Sequence, residues 1–151
     1  NMAKSICARR YYAFSSSLTE LSPMKMQTVN SSKVKIPPAD IKSNCKIYNG
    51  QVFIAGMTGR SPDGSIPKGM YEQTCVVFQK IKDLMEAAGG KIDDVIQINI
   101  FVTEMNVPDF WRARRQFFSG DFPVLTFVQV AALADPELVV EINGIGFLGA
   151  S

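Results

Sequence analysis

Between Phe122 and Phe147 the chain carries two apolar runs, Val124 to Leu133 and Leu138 to Phe147, joined by the polar connector Ala134-Asp135-Pro136-Glu137. Neither alternates cleanly. Val124, Thr126, Val128 and Val130 interleave with Leu125, Phe127, Gln129 and Ala131, and Val140 and Ile142 interleave with Val139, Ile145 and Phe147. A strand with one wet face alternates apolar with polar residues, so these runs predict strands covered on both sides. Glu141 is the single charge within them, and a carboxylate in such a strand requires a partner, water or a chemical role.

Upstream, Lys46-Ile47-Tyr48 and Gln51-Val52-Phe53-Ile54-Ala55 flank Asn49-Gly50, the strongest two-residue hairpin signal. Gly56 and Gly59 are expected to end the second of these strands, and Arg60 to Gly69, with Pro62-Asp63-Gly64, reads as a loop. The spacing of Thr74, Val77, Phe78, Ile81, Leu84, Met85 and Ala88 predicts a helix from Met70 to Ala88 with Lys80, Lys82, Asp83 and Glu86 outside its apolar stripe. Gly89-Gly90 is its stop. Val95 to Val102 predicts a strand with Ile96, Ile98, Ile100 and Val102 on one face. A second helix starts near Asn106, with Pro108 in its first turn and Phe110, Ala113 and Phe117 buried, and ends at Gly120.

The resulting order, β-β-α-β-α-β-β, is an α+β arrangement. Right-handed crossovers place both helices on one face of a mixed sheet. The other face stays apolar with nothing in the chain left to cover it except the N-terminal segment, which points to association with further copies.

Composition narrows the chemistry. A chain of 151 residues suits one domain with a real core. No apolar run reaches the roughly 18 residues of a bilayer span, so no membrane role is expected. Cys7, Cys45 and Cys75 are odd in number and widely spaced, which suggests reduced thiols in an intracellular compartment. Histidine is absent, which excludes Ser-His and Cys-His relays and His-containing zinc sites and leaves acid–base work to carboxylates, Lys, Tyr and water. The net charge of +2 divides into +6 over residues 1–46 and −4 over 47–151, so the body lacks the basic character of a nucleic-acid face. Residues 1–40, with Lys4, Arg9, Arg10 and Ser15-Ser16-Ser17 ahead of the first acid Glu20, read as a leader. That composition fits an organellar, for instance mitochondrial, transit peptide on an otherwise cytoplasmic protein, while Asn1 ahead of Met2 reads as a cloning scar. Pro37-Pro38 marks the boundary, and the domain is expected over 41–151.

Several segments carry a family resemblance. Asn49-Gly50-Gln51-Val52-Phe53-Ile54-Ala55-Gly56, Met85-Glu86-Ala87-Ala88-Gly89-Gly90, Asp93-Asp94-Val95, Val102-Thr103-Glu104-Met105, Phe122-Pro123, Val128-Gln129-Val130-Ala131-Ala132-Leu133 and Val140-Glu141-Ile142, in collinear order over about residues 41–149, resemble the RidA/YjgF family. The resemblance implies a chorismate-mutase-like fold and a homotrimer with a small-molecule pocket at each subunit interface. It also implies hydrolysis of reactive enamines and imines to keto acids and ammonia without metal or cofactor. In that family an arginine on the strand after Phe-Pro clamps the substrate carboxylate, and a glutamate on the last strand positions the attacking water.

Carried over by position, Glu141 matches the catalytic glutamate and Gly56 the glycine of the second strand. The family's serine before that glycine is Ala55, its tyrosine falls near Lys42, and the asparagine of its second helix corresponds to Trp111. The arginine is Leu125. An isobutyl group cannot clamp a carboxylate, and losing one charge-assisted bond costs about 1.5–3 kcal/mol, so 2-imino carboxylates should bind poorly. Lys42 or Arg114, reaching across an interface, are candidate replacement cations; Met57 and Phe122 are expected to shape the cavity. The reading is a deaminase of altered specificity acting through Glu141. The alternative is a non-catalytic metabolite-binding or regulatory trimer; RNA cleavage is disfavoured by the acidic, histidine-free body.

Overall fold

The computed structural model describes residues 25–151; Cys7 and the basic, serine-rich part of the expected leader lie outside the described residues. A six-stranded mixed sheet is built from β1 (Gln27–Val29), β2 (Cys45–Tyr48), β3 (Gln51–Thr58), β4 (Val95–Val102), β5 (Val124–Gln129) and β6 (Val140–Phe147), in the order β1-β2-β3-β6-β4-β5. Helices α1 (Met70–Ala87) and α2 (Val107–Arg114) complete the α+β fold. Among the described residues no helix is long and apolar enough to cross a membrane.

The β2–β3 hairpin turns at Asn49 and Gly50, both at positive φ (51° and 73°), as its sequence predicts. The two crossovers also run as expected, β3 to β4 through α1 and β4 to its parallel neighbour β5 through α2. Both helices pack on one face of the sheet. Phe78 of α1 meets Phe110 of α2, and Phe110 meets Phe127 of β5 edge-on. Val52, Ile54 and Met57, Ile98, Ile100 and Val102, and Val140 and Ile142 line the buried side of β3, β4 and β6.

Five expectations need correction. The second hairpin strand does not stop at Gly56 but runs on to Thr58, with a bulge between Ile54 and Met57 against β6. On β4 another bulge between Val95 and Gln97 turns Val95 inward and leaves Ile96 exposed, because an extra residue reverses the alternation on one side of it. Asp83 is buried, not outside the α1 stripe; its carboxylate accepts from Lys33 and Gln79. The second helix ends at Arg114, six residues short of Gly120, and Phe118 rather than Phe117 is fully buried beyond it. Of the two apolar runs, the first ends as a strand at Gln129 and the second begins only at Val140, and β4 lies between them in the sheet.

The expected leader also contributes to the sheet. Gln27–Val29 pairs antiparallel with β2, and Val34 enters the core. The segment then crosses the upper edge of β3, where β2 no longer pairs. There Ala55 donates its N–H to the Asn44 carbonyl and Asn44 Nδ2 donates to the Lys35 carbonyl at 2.8 Å.

No described segment covers the second face. Phe53, Gln97, Asn99, Phe101, Val124, Val128, Glu141, Asn143, Ile145 and Phe147 point out on that side. Phe53 is 41% and Val124 68% exposed, and Asn99 and Asn143 hydrogen-bond to each other at 2.9 Å.

Candidate functional site

Two groups of candidate residues emerge, one around the end of β3 and one at the β5 edge. The first centres on β3 and β6. Glu141 sits opposite Thr58 on β3 and Phe101 on β4, on the uncovered face, where alternation from the buried Val140 and Ile142 must put it. Its carboxyl group folds over Gly56: a Cβ added there would collide with Glu141 Oε1. Gly56 is therefore a glycine because the acid occupies the volume of its missing side chain, not because the strand ends there. Among the described residues no cation lies within ion-pairing distance of Glu141, so the carboxylate is not committed to a structural salt bridge within the chain.

Gly56 also lines a cleft of about 280 Å³ between the end of β3, α1 and the 34–44 segment. Met57 and Thr58 form one wall, Val34, Pro37 and Pro38 another, and Lys35, Lys42, Arg60 and Lys80 reach it from three elements. Among the described residues no carboxylate side chain lines it. Arg60 is already engaged, 2.6 Å from Asp135 in the β5–β6 connector and donating to the Gly64 carbonyl. Lys80 donates to the Thr58 carbonyl at 2.9 Å. Burial first, then repulsion from Arg60 and Lys42, pulls its ammonium down to about 8. Pattern reading placed Lys80 merely outside the helix stripe. Only the fold shows that a lysine on α1 and another 38 residues earlier in the chain share one cleft.

The second group lies at the β5 edge beside α2. Leu125 pairs with Ile98 and so points to the helix side, where it packs on the core. The Arg114 guanidinium lies over the rings of Trp111 and Phe122, 4.3 and 4.0 Å from their centroids. Its Nε is buried without a partner, and burial, aided by Arg115, holds its pKa below the ordinary arginine value. Trp111 also packs against Phe110 and Phe127. Ala55 belongs to neither group: it borders a shallow hollow with Met26, Ser43 and Phe53.

Within one chain the structure thus seats Glu141 over Gly56, which also lines the cleft with Lys42, and separately gathers Trp111, Arg114 and Phe122. Leu125 and Glu141 are on opposite faces of the same sheet. Cys45 is fully enclosed, and burial pushes its thiol up to about 11, far too high to supply a nucleophilic thiolate at neutral pH.

Residues 36–147 match the family model described as Endoribonuclease L-PSP. A RutC family protein of Pyrococcus horikoshii is 33% identical over 101 residues, 64% of this chain and 78% of that one. The mitochondrial protein MMF1 of Saccharomyces cerevisiae is 26% identical over 118 residues, 77% of each chain. The crystal structure of RidA from an Antarctic Psychrobacter species superposes with a TM-score of 0.74 at 30% identity, over 81% of this chain and 99% of that one. The chain belongs to the RidA/YjgF family, whose family model carries the endoribonuclease name, and it has that family's fold.

Proposed function

We propose that this chain is a small-molecule deaminase that adds water to an imine, working as a homotrimer whose clefts form where copies meet. The observation that carries the reading is Glu141 seated over Gly56, beside a cleft and without a partner among the described residues. In the proposed reaction a water held by Glu141 forms a bond from its oxygen to the imine carbon. One of its protons passes through the carboxylate to the imine nitrogen to give a carbinolamine; the carbinolamine's hydroxyl proton then passes by the same route to the nitrogen as the C–N bond breaks, so that ammonia leaves and the carbonyl product forms. A positioned carboxylate suffices for this step.

Assembly supports the reading in two ways. The uncovered face presents Phe53, Phe101, Val124, Val128, Ile145 and Phe147 among its polar residues, an apolar patch of the kind that marks an interface. Leu125 and Glu141, which occupy matching positions of the family's pocket, can share one pocket only if they come from different copies. Ile145, between Phe53 and Gln97 on that face, is the place to test it. An Ile145→Lys chain should keep its fold yet sediment as a monomer, because a charge there has to be desolvated in any interface. A wild-type chain that already sediments as a monomer would overturn the trimer.

Specificity follows from Leu125. Without the guanidinium, wild type should show little turnover of 2-iminobutanoate or 2-iminopropanoate. Leu125→Arg should raise it by about tenfold or more, and Glu141→Ala on that background should abolish it. Rapid wild-type turnover would refute the specificity argument. An arginine variant that stays inactive would favour the second reading, a metabolite-binding trimer without chemistry. The relation to a mitochondrial relative supports taking the basic leader as a targeting segment.

A further inference from the structure

The cations around the β3–α1 cleft stand where nothing in the reaction above requires them. Four basic side chains converge on about 280 Å³ from three separate elements, and among the described residues no carboxylate side chain lines that volume. Two of the acids nearby are already bonded, and the third, Glu141, is the acid of the proposed reaction. Asp135 holds Arg60, Asp83 one turn along α1 is bonded to Lys33 and Gln79, and Glu141 lies over Gly56 from the opposite strand. Lys35 and Lys42 are exposed at the rim, whereas Lys80 is half-buried. Lys80 has one partner, a backbone carbonyl, and an ammonium carries three N–H donors. Holding such a group beside two other cations is unfavourable until an anion joins them.

We propose that this cleft is an anion subsite in which Lys80 and Lys42 bind a carboxylate of the substrate remote from its reacting carbon. The pocket's polarity is then reversed. The end that faces Leu125 has lost its cation, and the end that faces α1 has gained two. The ligand class is a small imino or carbonyl compound whose negative charge is separated from the C=N or C=O carbon by a short aliphatic spacer. The choice of ligand rests on the reading of Glu141 as the water-positioning acid, but the subsite itself lies within one chain and can be tested by binding alone.

Proton linkage supplies a signature. An anion favours the charged form of Lys80, so binding should raise its pKa from about 8. The complex should therefore take up protons between that value and the raised one. Affinity should be greatest where Lys80 is already charged, below about 8, and should fall as the pH rises through it.

Two stable ketone isomers are suitable probes for titration calorimetry on the whole protein: 4-oxopentanoate, with its charge remote from the carbonyl, and 2-oxopentanoate, with its charge adjacent. Wild type should bind the 4-oxo isomer about tenfold more tightly or better, with proton uptake near pH 8 seen as a dependence on buffer ionisation enthalpy. Lys80→Met should remove both the preference and the uptake. Lys80→Arg should keep the preference but lose the uptake, since arginine stays charged; this variant also covers the case in which the methionine chain folds poorly. Equal affinity for the two isomers, or a preference that survives Lys80→Met, would overturn the subsite. Isomer preference without turnover of any imine would leave the subsite standing and remove the deaminase reading. Turnover without isomer preference would do the reverse.

Discussion

Gln73→Ala should lower the melting temperature by about 6–12 °C at fixed protein concentration, the largest loss expected from any single polar substitution in this chain. Gln73 is 1% exposed on the buried side of α1, and its amide joins three segments, two of which are also linked at the surface by the Arg60–Asp135 pair. Nε2 donates to the Pro67 carbonyl at 2.9 Å in the β3–α1 loop and to the Glu137 carbonyl at 2.8 Å in the β5–β6 connector. Oε1 accepts from the Val139 N–H at 2.9 Å, just ahead of β6. Alanine leaves these backbone groups to find water in a nearly closed space and opens a cavity beside Gly59, whose α-carbon packs against the glutamine side chain. Three half-buried hydrogen bonds and the lost packing sum to about 2–4 kcal/mol. Gln73→Glu separates the contributions, because it retains the acceptor for Val139 but loses both donors and adds a charge. It should be at least as destabilising as alanine. Differential scanning fluorimetry on the three proteins decides the matter, and a shift below about 2 °C for both variants would show that the loops are held by other means.

Gln73 also illustrates what pattern reading misses. A glutamine next to Thr74 on an apolar stripe carries no local sign of burial, since its partners lie 6, 64 and 66 residues away. The same holds for Lys80, whose neighbours across the cleft come from the segment before β2. Local signals fared better. The Asn49-Gly50 turn, the α1 stripe and the span of β4 were legible because each depends on residues within a few positions of one another. The bulge near Ile96 was not, since pleat alternation predicts faces only while the ladder is regular. The three-residue β1 escaped because so short a run has no periodicity to detect, and the placement of β4 between β5 and β6 is decided by the whole sheet. Glu141 was legible as an exception, a lone charge in an apolar strand, and the fold supplied the reason for its surroundings: the glycine beside it leaves the space in which its carboxyl group lies. The absence of the family's arginine at Leu125 and the candidacy of Lys42 could be read by position alone, whereas Lys80 beside Lys42 in one cleft needed coordinates.

That glycine offers a way to move the acid without removing it. Gly56→Ala should reduce any imine hydrolysis by about tenfold to a hundredfold while leaving the melting temperature nearly unchanged. The added methyl group would occupy the volume now filled by Glu141 Oε1 and press on Cδ, 2.9 Å away. Both atoms are at the far end of a flexible side chain, so the carboxyl group can swing aside at little cost to the fold. Gly56 is not one of the glycines at positive φ, so alanine introduces no backbone strain there. What changes is the position of the carboxylate, and with it that of the water it is proposed to hold; a displacement of about 1 Å is enough to cost two orders of magnitude when the reacting atoms must be aligned. Glu141→Gln is the companion variant. It keeps the side chain's size over Gly56 but cannot accept the proton, so it should be inactive with an unaltered melting temperature. The pair of results distinguishes position from chemistry. Should Gly56→Ala turn over imines at the wild-type rate, the carboxylate's seat over β3 would be incidental and the water would have to be activated elsewhere in the cleft.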